Sequence, residues 1–156
     1  NRVNTFCEGG DRPVAHVDVT EPYSPELRGI VESAAKSLGL TVHNGGTYVC
    51  TEGPRFESPA EIRMYAMLGG QTVGMTNVPE VTLANEAEMA YMTISMVTNY
   101  AAGISESALT HGEVVDMMQQ MAEQLQSLVK EVIKGIDVNA DYPAHHRMSE
   151  YGGFQL

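Results

Sequence analysis

The stretch from Thr51 to Glu80 constrains the fold most, because two short apolar runs flank a segment with clear helix start and stop signals. Ser58-Pro59-Ala60-Glu61 supplies a capping Ser, a Pro at the first helical position and a Glu three residues after the Ser. Gly69-Gly70 supplies a terminator, and a strand is predicted from Thr72 to Met75. The pattern therefore predicts a strand-helix-strand unit with a loop after each strand.

The same signals recur along the rest of the chain. Helices are predicted from Pro25 to Leu38, from 59 to 68, from Pro79, and from Thr110 to Gly135, and strands are predicted at 46–51, 72–75 and 91–97. The run from Tyr91 to Val97 is nearly continuous in apolar residues, which is typical of a strand buried on both faces. The alternation predicts an α/β fold with a parallel or mixed central sheet flanked by helices.

The polar opening, with no strand-helix unit before it, leads us to expect that the N-terminal strands of the sheet are missing from this chain. We expect residues 1–136 to be the C-terminal half of a single α/β domain. Residues 137–156 lack sustained periodicity and are expected to form an aperiodic tail or an arm at an interface.

Composition narrows the classes of partner. The net charge of −11 disfavours binding to nucleic acid or to an anionic membrane. The sequence contains no apolar run of about 18 residues, so no membrane span is predicted, and we expect a cytoplasmic protein. His145-His146 lacks a third ligand spaced nearby, so no metal site is predicted there.

Three loops are candidates for a ligand site, because ligands of parallel sheets lie at the carboxyl ends of the strands. They are residues 53–58, 75–79 and 98–106. In the first, Phe56 and Glu57 put an apolar ring beside a carboxylate, a pair that can hold a flat, hydrogen-bonding heterocycle. In the second, Thr76 can offer a hydroxyl and an N–H to an anion, or else Thr76 or Asn77 simply caps the next helix.

Asn99, in the third loop, can donate and accept hydrogen bonds, which suits a purine edge, although a lone Asn is more often a turn residue. His111 lies in the first turn of the last helix, where the helix dipole favours a neutral imidazole. A half-exposed surface His is the alternative. His16 lies just before Glu21-Pro22-Tyr23 and, without a partner, is an ordinary edge-strand residue.

Three ordered blocks together resemble the trimeric purine nucleoside phosphorylase and methylthioadenosine phosphorylase family. The blocks are Glu52-Gly53-Pro54-Arg55-Phe56-Glu57, Gly74-Met75-Thr76-Asn77-Val78-Pro79-Glu80 and Ser95-Met96-Val97-Thr98-Asn99, within a match from about residue 12 to 134. The resemblance implies transfer of a pentose from a purine base to inorganic phosphate as co-substrate, with no other cofactor, in purine salvage. It also implies a homotrimer or a hexamer.

The resemblance assigns roles to individual residues. Phe56 would stack near the sugar and base, Glu57 would hold the N1 side of the purine, and Asn99 would act as the catalytic residue that meets the leaving base at N7 and O6. Met75 would lie under the ribose and Thr76 would contact phosphate. Two further positions face the 5′ end of the ribose: His111, and His16 reaching across a subunit interface.

The resemblance also separates substrates. In the family, enzymes for 6-aminopurines carry Asp in place of Asn99 and a small hydroxyl residue in place of Glu57, so this pair favours a 6-oxopurine. His111 matches enzymes for nucleosides with a 5′-hydroxyl, whereas His16 matches methylthioadenosine phosphorylases. A 5′-methylthioinosine phosphorylase that also accepts inosine would reconcile the two, with guanosine as another 6-oxopurine substrate.

Other functions stay open. A methylthioadenosine phosphorylase with a relaxed pocket is one, a non-catalytic nucleoside-binding subunit is another, and a hydrolytic nucleosidase is a third. Thr76 argues weakly against hydrolysis, which needs no phosphate contact. The resemblance implies that further phosphate ligands come from a segment that this sequence does not contain, so we expect the isolated 156 residues to be inactive.

Overall fold

The fold is taken from a computed structural model that describes residues 2–10, 14–105 and 110–153. Within these ranges it has four α-helices and two β-strands, followed by two short 3-10 helices at Pro143–His146 and Ser149–Tyr151. The main elements are α1 (Pro25–Ser37), β1 (Tyr48–Cys50), α2 (Pro59–Met67), β2 (Thr72–Gly74), α3 (Asn77–Glu86) and α4 (His111–Gly135).

Side-chain caps start three of the helices, as the sequence predicts. Ser24 accepts a hydrogen bond from the backbone N–H of Leu27 at 3.2 Å at the start of α1. The two capping boxes are both formed: Ser58 pairs reciprocally with Glu61 before α2, and Thr110 pairs with Glu113 before α4. These local signals place the helix starts within one residue of the predicted positions.

Strands β1 and β2 are parallel, with Tyr48 opposite Thr72 and Cys50 opposite Gly74. Helix α2 is the crossover between them, as the strand-helix-strand pattern predicts. The pairing continues one residue beyond β1, where the N–H of Thr51 donates to the carbonyl oxygen of Gly74 at 2.8 Å. The two strands therefore deliver their following loops to the same edge of the sheet.

The strand predicted for residues 91–97 is not formed in the structure. A strand is defined by hydrogen bonds to a neighbour, and within the described ranges no strand lies beside this segment. Instead, residues 92–97 line an open cleft of about 880 Å³, together with Tyr48 and the α4 residues Met121 and Leu125. The predicted burial on both faces is also wrong here, because Ser95 and Val97 are exposed and the other residues of the run are only half-buried.

The core lies between α1 and α4. Its buried members are Val31, Ala34, Ala35, Leu128 and Val132. On each helix these positions follow the three- and four-residue spacing of one apolar face. At the end of α2, outside this core, the side chain of Leu68 is 78% exposed.

The segment after α4 packs against the chain's own N-terminal part. Arg147 donates to the carbonyl oxygens of Asp18 and Glu21, at 2.8 and 2.6 Å. The N–H of Met148, whose side chain is 2% exposed, donates to Glu88 at 2.9 Å. These contacts fix residues 143–151 to the segment that carries His16. The division at residue 136 stays a prediction.

Candidate active site

The loops that follow β1 and β2 pack directly against each other. A Cβ atom on Gly53 would lie 2.5 Å from the Sδ atom of Met75, so the Met75 side chain lies against the bare backbone of Gly53. Gly53 also has a φ of +64°, in the left-handed region that glycine adopts most easily. The loop after β1 (residues 52–58), predicted to bind the base and called the base loop, and the loop after β2 (residues 75–79), predicted to bind phosphate and called the phosphate loop, therefore form one surface at the sheet edge.

The base loop is tied to the first turn of α2 by Glu61. Its carboxylate accepts two hydrogen bonds from the Arg55 guanidinium, at 2.9 and 2.7 Å, in a bidentate pair. It also accepts from the backbone N–H of Ser58 at 2.7 Å and from the Ser58 hydroxyl at 2.8 Å. Residues 56 and 57 lie between these anchors, so their backbone is held from both sides.

The two predicted base-binding side chains of this loop differ in their surroundings. Phe56 is 41% exposed and presents its ring to solvent at the sheet edge. Glu57 is half-buried, and its Oε1 atom accepts a hydrogen bond from the Thr51 hydroxyl at 2.6 Å. Since a carboxylate has a second oxygen, Glu57 can accept a hydrogen bond from a ligand while Thr51 holds its orientation.

Thr76 lies at the N-cap position of α3, with φ −118° and ψ −22°. Its side chain makes no capping hydrogen bond within the part of the chain that the structure describes. Asn77 does not serve as the cap either: it is 4% exposed, its amide donates to the Tyr23 hydroxyl, and its Oδ1 accepts from Thr93 at 2.8 Å. The simple capping alternative for Thr76 or Asn77 is therefore wrong.

Asn99 follows the 91–97 segment and is half-buried. Its side-chain amide donates to the Thr98 hydroxyl at 2.8 Å. Further along the same loop, a Cβ on Gly103 would lie 2.6 Å from the Cβ of Pro59, the first residue of α2. The third loop thus packs against the end of the base loop, although its last residue, Glu106, lies outside the described residues.

The two predicted 5′ residues stand apart from these loops. His16 and His111 are exposed, and within the described residues no hydrogen bond or ion pair connects either imidazole to the three loops. The backbone N–H of His16 donates to the Tyr151 hydroxyl at 3.2 Å. His111 begins α4 directly after Thr110, and residues 106–109 before it lie outside the described ranges. Their roles stay predictions.

Sequence reasoning missed two arginines that hold the loops. Arg55 lies in the block from Glu52 to Glu57, but the sequence predicts its partner Glu61 only as part of a capping box. A spacing of six residues is a weak signal for an ion pair, because the two side chains meet only when the residues between them form a loop. Arg2 contacts both the base loop and the phosphate loop from 50 or more residues away in the chain, for which the sequence carries no local signal.

The hydrogen bonds from Arg55, followed by those from Ser58, lower the pKa of Glu61 from its ordinary value of 4.5 to about 2. A depressed carboxyl pKa contributes stability that is present above about pH 4.5 and is lost as the pH falls toward 2. We expect Glu61→Gln to lower the thermal midpoint at pH 7, and the gap to wild type to narrow steadily below about pH 4.5. Thermal unfolding from pH 7 to pH 3 measures this gap, with the exposed Glu123→Gln on α4 as the control. A gap that is independent of pH would contradict the assignment.

The structure bears on two other sequence expectations. In the residues that it describes, no helix is both long and apolar enough to cross a bilayer. Over the same residues, no three His, Cys, Asp or Glu side chains come together as a group that could hold a metal ion.

The comparisons with known proteins define the class. A sequence profile of the Phosphorylase superfamily matches residues 2–134 of the chain. This match covers the three site loops, the two strands and all but the last residue of α4. The chain belongs to the Phosphorylase superfamily.

The sequence of the chain can also be compared with individual curated members of that family. The chain is 55% identical over 134 residues to the 6-oxopurine nucleoside phosphorylase of Pyrococcus furiosus, covering 83% of this chain and 51% of the relative. It is 51% identical over 151 residues to a probable 6-oxopurine nucleoside phosphorylase of Dictyoglomus turgidum, covering 97% of this chain and 57% of that protein. It is 48% identical over 133 residues to a probable S-methyl-5′-thioinosine phosphorylase of Methanopyrus kandleri, covering 85% and 52%. The chain spans about half the length of these relatives.

Solved structures agree on the fold. A methylthioadenosine phosphorylase from an antarctic soil metagenomic library superposes with a TM-score of 0.84 at 32% identity, over 96% of this chain and 53% of that one. The match confirms the predicted nucleoside phosphorylase fold and the α/β class.

Proposed function

We propose that the protein is a purine nucleoside phosphorylase that transfers ribose or 5-methylthioribose from a 6-oxopurine to phosphate. The observation that carries the proposal is the packing of the base loop on the phosphate loop, with Met75 lying against Gly53. This packing puts Glu57, a carboxylate held by Thr51, on the same sheet edge as Thr76. The names of the relatives, 6-oxopurine nucleoside and S-methyl-5′-thioinosine phosphorylases, support the same substrates.

In the proposed reaction, a phosphate oxygen forms a bond to C1′ of the sugar while the bond from C1′ to N9 of the purine breaks. The electron pair of the broken bond goes to the purine, and the sugar passes through a state with oxocarbenium character. Thr76 binds phosphate with its hydroxyl and N–H, and Met75 lies under the ribose. Asn99 donates to the leaving purine at N7 and O6, which stabilises the developing negative charge.

The base-binding residues set the preference for a 6-oxopurine. A 6-oxopurine such as hypoxanthine carries a proton on N1 and an acceptor oxygen at position 6. Glu57 can accept from that N1–H, and the amide of Asn99 can donate to O6. A 6-aminopurine reverses both groups, so it would leave these two side chains with mismatched partners.

A methylthioadenosine phosphorylase is the second candidate. The superposition on a protein of that name favours it. We propose that His16 acts across a subunit interface of a homotrimer or hexamer and that His111 faces the 5′ position. In this proposal phosphate is the co-substrate, no other cofactor takes part, and the protein serves purine salvage in the cytoplasm.

Release of free base from inosine, 5′-methylthioinosine and methylthioadenosine tests the proposal, using the intact gene product with and without phosphate. We expect strictly phosphate-dependent release from the two 6-oxopurine substrates. Their ratio measures the preference at the 5′ position. A preference for methylthioadenosine would favour the second candidate, base release without phosphate would point to hydrolysis, and binding without turnover would overturn the enzymatic proposal.

A further inference from the structure

Arg2 contacts the base loop and the phosphate loop at the same time. Its Nη1 atom donates to the carbonyl oxygens of Met75 and Val78, at 2.7 and 2.8 Å. Its Nη2 atom donates to the carbonyl oxygen of Glu52 at 2.9 Å. One guanidinium therefore ties together two loops that begin more than 20 residues apart in the chain.

We propose that Arg2 is a positioning residue that fixes the orientation of the phosphate loop against the base loop. This inference rests on the proposed function, because it assigns Arg2 a purpose in that reaction. It adds a residue that lies outside the three site loops and outside the blocks that carry the family resemblance.

The contact with Met75 bears directly on phosphate binding. A trans peptide group is planar, so the carbonyl of Met75 and the N–H of Thr76 point in opposite directions. When Arg2 holds the Met75 oxygen, the Thr76 N–H is turned to the opposite face of the loop. That face is where the proposed phosphate would meet the Thr76 N–H, before the kink at Val78 from which the regular turns of α3 continue.

The residue type suits this task. Arginine presents several N–H groups in a rigid planar fork, whereas lysine offers one compact ammonium group. Three carbonyl oxygens from two loops surround the fork of Arg2, and only a wide donor group reaches all three. The ion pair between Arg2 and Glu52, at 3.9 Å with a largely exposed carboxylate, adds little.

Steady-state kinetics of the intact gene product test the inference, with Arg2→Ala and Arg2→Lys as variants. We expect Arg2→Ala to raise KM for phosphate and for inosine by about tenfold each, because small misplacements of positioning groups are costly. Arg2→Lys is expected to recover part of the loss, and guanidinium chloride at a low, non-denaturing concentration is expected to rescue Arg2→Ala, whereas urea at the same concentration is not. The exposed Arg63→Ala on α2 is the matched control.

Hydrogen exchange of the same variants needs no turnover and separates this inference from the proposed function. We expect faster exchange in Arg2→Ala at residues 51–58 and 74–79, with α1 and α4 unchanged. If the wild type shows no phosphate-dependent base release, the proposed function fails while the exchange pattern still tests the contact. Unchanged exchange in both loops, KM values within twofold of wild type, or an equal loss in Arg63→Ala would overturn the role of Arg2.

Discussion

Replacement of Asn99 with alanine is expected to lower kcat/KM for phosphorolysis of inosine by about 10²- to 10³-fold, the range seen when one donor to a developing negative charge is removed. In the proposed reaction the purine leaves with the electron pair of the broken bond, and the Asn99 amide is the donor that meets this charge. Its present partner is the Thr98 hydroxyl at 2.8 Å, so the amide N–H group is turned toward its own loop. Initial rates with inosine and saturating phosphate measure the effect.

The variant Asn99→Asp sharpens this test. A carboxylate accepts where the amide donates, so it would repel the oxygen of a 6-oxopurine and accept from the amino group of a 6-aminopurine. We expect the ratio of activities on methylthioadenosine and methylthioinosine to rise in Asn99→Asp and to stay constant in the control Asn139→Ala, an exposed residue after α4. Equal losses on both substrates in Asn99→Asp would contradict a role in reading position 6 of the base.

Local signals accounted for much of the fold. The caps at Ser24, Ser58 and Thr110 lie within four residues of the groups they bond, so the sequence contains both partners of each interaction. The parallel pairing of β1 and β2 follows from one crossover helix, which allows few alternatives. These features depend on short stretches of chain and could be predicted.

Interactions between distant segments could not be predicted in the same way. The 91–97 run has the composition of a buried strand, but composition does not reveal whether a neighbouring strand is present. The sequence offers Asn77 as a possible helix cap, whereas in the fold its side chain forms hydrogen bonds with Tyr23 and Thr93. The partners of Asn77 lie 54 and 16 residues away in the chain, so no local pattern reveals them.

The candidate site shows the same division. Phe56, Glu57 and Thr76 could be named from the sequence, because each follows a predicted strand at the edge where ligands bind, and Met75 could be named from the family resemblance. Their mutual arrangement depends on Gly53 making room for Met75 and on Arg2 reaching both loops. The groups predicted to touch a ligand were thus visible in the sequence, and the groups that position them were not.

The glycine pair after α2 gives a second large effect, this time on stability. The sequence predicts that Gly69 and Gly70 both end the helix, but the structure requires each glycine for a different reason. Gly69 has a φ of +86° with open space around it. A Cβ on Gly70 would lie 2.7 Å from a methyl carbon of Val49 and 2.9 Å from the carbonyl oxygen of Tyr65. The first position is limited by backbone conformation and the second by close packing.

We therefore expect Gly70→Ala to lower the free energy of unfolding by about 3 kcal/mol, the upper part of the range for overpacking. The Val49 methyl group can turn away, but the Tyr65 carbonyl belongs to helix backbone and already accepts the N–H of Gly70 at 2.8 Å. Gly69→Ala is expected to cost only about 1–2 kcal/mol, since it carries the left-handed penalty alone. Gly69→Asn is expected to cost less still, because Asn adopts this conformation more readily.

Urea unfolding of the intact gene product, with the double variant Gly70→Ala/Val49→Ala, distinguishes the two clashes. We expect the double variant to regain about 1 kcal/mol of the 3 kcal/mol, which is the part due to the contact with the Val49 methyl. The rest of the loss remains because the carbonyl of Tyr65 stays in place. A larger cost at Gly69 than at Gly70 would contradict the packing of α2 on β1. Strand β1 leads directly into Thr51, which holds Glu57 of the base loop. A displacement of β1 by the added methyl group in Gly70→Ala is therefore expected to raise KM for inosine, whereas Gly69→Asn is expected to leave KM unchanged.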